Sequence, residues 1–269
     1  DLDLLESRHL LFCYLHLAAE PKLVERLKDI GLTAVAFETV EEDGKTPLLA
    51  PMSAIAGRLA TQIGTWYLHA PRGGRGVLMG GITGRKGPNV TVIGAGISGY
   101  EAASLAHNMG ANVTIMDINE ERLSRMEKEF PGMKAVVSTP QSISVILPQT
   151  DLLVGAVYVV GKKAPTVVTA EQIKTMPEGS VAVDISIDQG GCLETSRPCT
   201  HDEPAYVEHG VIHSAITNMP AAAPRTASEI LSEAIEPYVE QLAAGEWTDA
   251  LQKGVNVQAS ELKIELLAS

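Results

Sequence analysis

A chain of 269 residues is long enough to bury a full hydrophobic core without disulfides or structural metals. With hydrophobic residues at 45% and charged residues at 20%, it is globular, which excludes a disordered tail, a collagen-like repeat and a coiled-coil rod. The 21 basic and 33 acidic residues leave a net charge of −12, which repels nucleic acid at long range and excludes a general phosphate-backbone binder.

In chain order, the first unit is a strand over Leu11–Leu15, a helix over Pro21–Ile30 and a second strand over Thr33–Phe37. A proline-rich crossing, Pro47–Ser53, then leads into a long helix, Ala54–His69. The stretch Arg72–Gly87 carries seven glycines and reads as a mobile lead-in. From Asn89 to about Ser214, short β-branched runs alternate with amphipathic stretches, the pattern of a parallel sheet built from strand-helix-strand units. Strands are predicted at Val90–Ile93, Asn112–Met116, Ala135–Val137, Leu152–Val157, Val181–Ile187 and Val211–Ser214, several of them continuously apolar as doubly covered strands are. Helices are predicted at Ile97–Asn108, Asn119–Phe130, Gln141–Leu147 and Glu171–Met176, with Asn119 as an N-cap. A second proline-rich crossing, Met219–Thr226, precedes a helix over Ala227–Ala244, and the tail is expected to be helical. The two crossings are read as an interdomain hinge. The expected architecture is α/β: a Rossmann-type doubly wound parallel sheet over residues 49–224, plus a smaller discontinuous α/β substrate domain from residues 1–48 and 225–269.

The longest apolar run, Leu152–Val160, is half the length needed to cross a bilayer, so no membrane insertion is expected. Cys13, Cys192 and Cys199 lack metal-ligand or disulfide spacing; no metal site is predicted, and a reducing, cytoplasmic setting is expected.

The strongest motif is Val90-Thr91-Val92-Ile93-Gly94-Ala95-Gly96-Ile97-Ser98-Gly99, a strand running into G-x-G-x-x-G at the start of a helix. Gly94 permits the tight turn, Gly96 lets the backbone approach a pyrophosphate, and Gly99 lets the helix pack on the strand, while free N–H groups and the helix dipole face the anion. The following strand ends at Asp117, 117 − 94 = 23 residues after the first glycine, where an acid grips the adenosine ribose hydroxyls. A carboxylate there repels a 2′-phosphate, favouring NAD(H) over NADP(H); Arg122 is either an adenosine contact or a solvated helix residue.

For the chemistry, strand alternation over Val181–Asp188 puts Ala182, Asp184, Ser186 and Asp188 on one face, with Asp188 at the carboxyl end, where ligands of open α/β sheets bind. Asp188 is therefore the leading acid/base or orienting carboxylate, with a turn-capping role as the alternative. Asp184, mid-strand in this reading, is structural. Among seven histidines, His9, His69, His107 and His209 read as solvated, His201 as a loop cap and His213 as a strand residue. His16 instead closes an apolar strand and can titrate near neutral pH or donate to a substrate carbonyl; a satisfied core histidine is the alternative. Cys192 has no neighbouring base and reads as packing.

Several of these segments, together with Tyr14-Leu15-His16-Leu17-Ala18-Ala19, Leu49-Ala50-Pro51-Met52-Ser53, Gly73-Gly74-Arg75-Gly76, Gln189-Gly190-Gly191-Cys192-Leu193-Glu194-Thr195-Ser196-Arg197-Pro198 and Asn218-Met219-Pro220, resemble the L-alanine dehydrogenase family over essentially the whole chain. The NAD-binding component of proton-translocating transhydrogenase is similar more distantly. The resemblance implies reversible, NAD-dependent oxidative deamination of L-alanine to pyruvate and ammonium. It places His16 at the family's active-site histidine and Asp188 at its aspartate. Ser53 matches a position contacting the cofactor phosphates, Val157, Ile185 and Asn218 the nicotinamide side, and Ser138 and Arg122 the adenosine side. A hexamer built through long interdomain helices is implied as well. The family's arginine and lysine for the substrate carboxylate precede the Tyr-Leu-His segment; this chain begins about fifteen residues before His16, so neither is assigned, and a leading segment is expected to be missing. The alternatives from other classes are an idle NAD-binding or assembly subunit and a transhydrogenase-like component.

Overall fold

A computed structural model describes residues 2–17, 20–159 and 163–264. In chain order its elements are β1 (Leu10–Cys13), α1 (Pro21–Ile30), β2 (Thr33–Ala36), α2 (Ala50–Tyr67), β3 (Asn89–Ile93), α3 (Ile97–Asn108), β4 (Asn112–Asp117), α4 (Glu120–Glu129), β5 (Lys134–Val137), α5 (Pro140–Ile146), β6 (Leu152–Gly155), α6 (Ala170–Ile173), β7 (Val181–Asp184), β8 (Tyr206–Glu208), β9 (Val211–Ser214), α7 (Pro224–Ala243), α8 (Asp249–Gly254), β10 (Val255–Gln258) and β11 (Glu261–Leu262). The chain divides into two compact units, one from residues 1–52, 160–163 and 223–269, the other from residues 53–159 and 164–222.

The larger unit is a seven-stranded sheet in the order β5-β4-β3-β6-β7-β9-β8, parallel except for the β8–β9 hairpin. β3 is third in that order, pairing with β4 on one side and β6 on the other, so the strand order reverses beside it. This is the doubly wound arrangement, which opens its crevice at the carboxyl ends of the strands flanking the reversal. Two apolar layers enclose the sheet. Val90, Val92, Val113, Ile115 and Val154 pack on one face with α2 and α3 residues; Ile93, Met116, Leu153 and Ala182 pack on the other with Ile143 and Ile173. β6 and β7 are buried at every residue, hence the apolar runs that precede Asp184 in β7 and fill β6.

The smaller unit is a four-stranded sheet in the order β1-β2-β10-β11. The tail is thus not all helix. Val255-Asn256-Val257-Gln258 alternates in the way a strand requires and pairs antiparallel with β2, and Ala259 and Ser260, at φ +49° and +65°, turn it into β11.

Several expected boundaries move. The first strand ends at Cys13, leaving His16 in the following loop at φ +49°. The strand expected to reach Val157 stops at Gly155. The strand expected to reach Ile187 stops at Asp184, and Ile185–Gln189 form a 3-10 turn. Asp184 itself causes the last of these: its side chain accepts the Ser186 amide N–H at 2.9 Å, which an extended strand cannot offer. The helix expected from Ala54 begins at Ala50, inside the proline-rich crossing, because Pro51 is compatible with a first turn that needs no N–H. The second crossing is a 3-10 turn, Met219–Ala222, after which α7 starts at Pro224. Arg72–Gly87 is irregular, with an isolated bridge between Ile82 and Arg85. Among the described residues no helix is long and apolar enough to cross a membrane, and no cluster of metal-ligating side chains occurs.

Candidate active site

The glycine-rich turn is built as its spacing predicts. Gly99 lies so near the turn that a Cβ there would fall 1.7 Å from the Gly94 carbonyl oxygen, so only glycine lets α3 start where it does. At Gly96 the same construction meets nothing within 4 Å, which leaves backbone open to an approaching group. Ala95 is buried, while Ile97 is 47% exposed at the first turn of the helix. At the tip of β4, Asp117 accepts the Ala95 N–H at 2.5 Å through one carboxylate oxygen and the Asn119 N–H at 2.8 Å through the other. The carboxylate thus ties the glycine-rich turn to the next strand. The Arg122 guanidinium lies 3.9 Å from it, held by a helix whose N-cap is Asn119. Ser138, just past β5, donates its N–H to the Asp117 carbonyl at 2.9 Å. Gly94, Gly96, Gly99, Asp117, Arg122 and Ser138 are therefore brought to one end of the sheet.

The candidates for the nicotinamide side gather at the ends of the neighbouring strands. Val157 lies two residues beyond β6 and is half-buried; Ile185 opens the 3-10 turn beyond β7. Asp188 is exposed on that turn, and one of its carboxylate oxygens accepts the Asn218 N–H at 3.3 Å. Asn218, at φ +49°, is exposed beside it. Ser53 lies half-buried in the first turn of α2.

Beneath Asp188 is a polar node that the spacing did not disclose. Asp184 is 1% exposed. One carboxylate oxygen takes the Ser186 N–H; the other takes the N–H groups of Cys192 and Leu193 at 2.8 and 3.1 Å and the Ser196 hydroxyl at 2.6 Å. Gly190 and Gly191, at φ +93° and +81°, reverse the chain so that these later amides can return. Cys192 is buried as expected, and enclosure together with the Asp184 charge pushes its thiol well above the usual range. His213 is also buried, between the Thr195 hydroxyl at 2.8 Å and the Val211 carbonyl at 3.0 Å, and burial lowers its pKa.

His16 belongs to the smaller unit. Its backbone N–H donates to Glu38 Oε1 at 2.6 Å, and Leu15 N–H reaches the same carboxylate at 3.2 Å. Its exposed ring stacks on Tyr14 at 5.8 Å between centroids, and the Tyr14 hydroxyl donates to the Leu48 carbonyl at 2.6 Å. Burial and the Glu38 charge raise the pKa of that hydroxyl. Glu38 escapes a reading of local motifs because it is 22 residues from His16.

The sheet order, the open glycine-rich turn and the aspartate at the second strand define a Rossmann-type unit of the dinucleotide-binding class. The family profile described as "Alanine dehydrogenase/PNT, N-terminal domain" matches residues 1–56, and "Alanine dehydrogenase/PNT, C-terminal domain" matches residues 60–264. An alanine dehydrogenase of Bacillus subtilis (strain 168) is 46% identical over 266 residues, 96% of this chain and 70% of that protein. A solved L-alanine dehydrogenase superposes with a TM-score of 0.90 at 46% identity, covering 97% of this chain and 74% of the other. A transhydrogenase from Sinorhizobium meliloti shares the fold, with a TM-score of 0.80 at 18% identity over 96% of this chain and 76% of that one. The chain belongs to the alanine dehydrogenase family, a family of oxidoreductases.

Proposed function

We propose that this chain catalyses the reversible oxidative deamination of L-alanine to pyruvate and ammonium with NAD, residues 49–224 holding the dinucleotide and residues 1–48 with 225–269 forming part of the substrate domain. The observation that carries the reading is the placement of Asp188 on a turn beyond the carboxyl end of β7, in the same unit as a glycine-rich turn closed by Asp117. The open backbone at Gly96 and the carboxylate at Asp117 fit a dinucleotide with an unphosphorylated 2′-hydroxyl. Gly94, Ala95, Gly96, Ile97 and Gly99 would hold its pyrophosphate with Ser53; Asp117, Arg122 and Ser138 its adenosine half; Val157, Ile185 and Asn218 its nicotinamide half. When bound, it supplies a hydride acceptor at the nicotinamide C4.

The chain's own residues then have defined tasks. Oxidation of the α-carbon leaves an imine, which must gain water and lose ammonia, so protons have to leave the attacking water and reach the nitrogen. His16 presents an exposed imidazole that hydrogen-bonds the substrate oxygen. Asp188, exposed and anchored by the Asn218 amide, takes the proton from water and returns one to the leaving amine. A homo-hexamer and a cytoplasmic setting complete the proposal, resting on the family resemblance and on the cysteine usage.

The test is NADH formation from L-alanine, run beside Asp188→Asn and His16→Asn. The reading expects turnover with NAD, at least tenfold less with NADP, and a loss of about 100-fold or more in kcat/KM for each variant with NADH binding retained. NADH binding without turnover would support the idle-subunit alternative. Hydride exchange with a second nucleotide-binding protein, without alanine oxidation, would support the transhydrogenase-like one.

A further inference from the structure

We propose that Asp184 is a positioning residue for the reaction, setting the pose of Asp188 by capping the 3-10 turn that carries it. The inference rests on the assignment of Asp188 to the chemistry. Asp184 is the last residue of β7 and the N-cap of Ile185–Gln189, so the turn begins on its carboxylate. Its two oxygens have separate duties. Oδ1 accepts the Ser186 N–H, the bond that bends the chain out of the strand, and lies 3.4 Å from the Cys192 thiol. Oδ2 gathers Cys192 N–H, Leu193 N–H and the Ser196 hydroxyl, anchoring the far side of the loop that leaves the turn through Gly190 and Gly191. Asp188 lies between these two anchored stretches. A side chain fixed on both flanks has little freedom to drift, and an error of about 1 Å in a reacting group can lower a rate by about 100-fold.

There is no room to replace the carboxylate by something bulkier. A Cβ on Gly191 would come within 3.0 Å of Oδ2, and one on Gly155 within 3.4 Å of Oδ1 and 2.5 Å of the Cys192 sulfur. The node is closed on the side of β6 as well as by its own loop.

The two duties can be separated by Asp184→Asn in the full-length enzyme. The amide settles with its oxygen in the Oδ2 position, where it keeps three donors, and its nitrogen in the Oδ1 position, where it faces the Ser186 N–H and can donate only to the Cys192 sulfur. The loop anchor survives and the cap of the Asp188 turn is lost. The expected result is a folded protein by thermal unfolding, an NADH dissociation constant within about threefold of the parent, and kcat for L-alanine reduced about tenfold with KM changed less. The isotope effect on kcat with α-deuterated L-alanine should also change, because the step governed by Asp188 has slowed relative to hydride transfer. A folded Asp184→Asn enzyme with parental kcat and isotope effect, beside an inactive Asp188→Asn enzyme, would overturn the proposal and leave the role of Asp188 intact. Parental kcat in Asp188→Asn would instead overturn the assignment of Asp188, and the proposal with it. Should Asp184→Asn fail to fold, Ser196→Ala withdraws one hydroxyl from Oδ2. A kcat about threefold lower with the same shift in isotope effect supports the proposal, and parental values overturn it.

Discussion

Asp117 and Asp184 occupy equivalent places in the sheet and do different work. Each ends a buried parallel strand, and each accepts the N–H two residues ahead, Asn119 in one case and Ser186 in the other. They differ in what else reaches them. Around Asp117 the remaining bond is the Ala95 N–H, and a half-exposed arginine stands 3.9 Å away, leaving an edge that under the proposed function would face a ribose. Around Asp184 three further donors of the polypeptide fill the second oxygen, and the residue is 1% exposed against 7% for Asp117. An acid at the tip of a strand is therefore not by itself a ligand-binding residue. What separates the two is how far the protein has already satisfied the carboxylate.

The largest expected effect follows from removing the saturated one. Asp184→Ala leaves three buried N–H groups and the part-buried Ser196 hydroxyl without this partner and should lower unfolding free energy by about 3–5 kcal/mol, measured by urea denaturation. Next comes the turn that Asp117 ties down. Gly99→Ala forces a methyl into the Gly94 carbonyl and should destabilise by about 1–3 kcal/mol while weakening NADH binding more than tenfold by fluorescence titration. Asp117→Ala should cost less in stability than Asp184→Ala, yet reduce the preference for NADH over NADPH by about tenfold; equal losses of stability from the two substitutions would erase the distinction drawn here. The smallest effect concerns His213. Its folded pKa lies below the unfolded value of 6.5, so neutral His213 contributes stability that is present above pH 6.5 and lost as pH falls through its lowered folded value. His213→Gln should flatten the acid side of a stability-versus-pH curve measured by urea midpoints, and an unchanged curve would assign that slope to other groups.

The contrast also explains what could be read from the chain alone. β3, β4 and β9 follow from their apolar runs within one residue, because a strand covered on both faces has no competing pattern. The place of Asp117 at the tip of β4, against the glycine-rich turn, is legible because the rule that finds it combines a strand, three glycines and a distance. The end of β7 was not, since Val-Ala-Val-Asp-Ile-Ser-Ile-Asp alternates perfectly while the side chain of Asp184 prefers the Ser186 amide; the Asp-x-Ser sequence was the available signal. The β8–β9 hairpin is marked only by His209-Gly210, which at φ +52° and +76° forms the two-residue turn that right-twisted strands favour. Glu38 left no trace, because the bond that seats the His16 backbone spans 22 residues and a strand-helix-strand return.

The enclosure of the Asp184 loop has a practical reading in thiol chemistry. Cys192 and Cys199 are buried, and Cys13 is half-exposed with its own pKa raised by burial and by Glu38. Because it alone of the three is not buried, Cys13, three residues before His16, should react first with an alkylating reagent, and its raised pKa moves that reaction to more alkaline pH. Cys192 can be modified only after its hydrogen bonds to Asp184 have come apart. Its labelling rate under native conditions is a clock for the opening of that loop, read at a single sulfur atom.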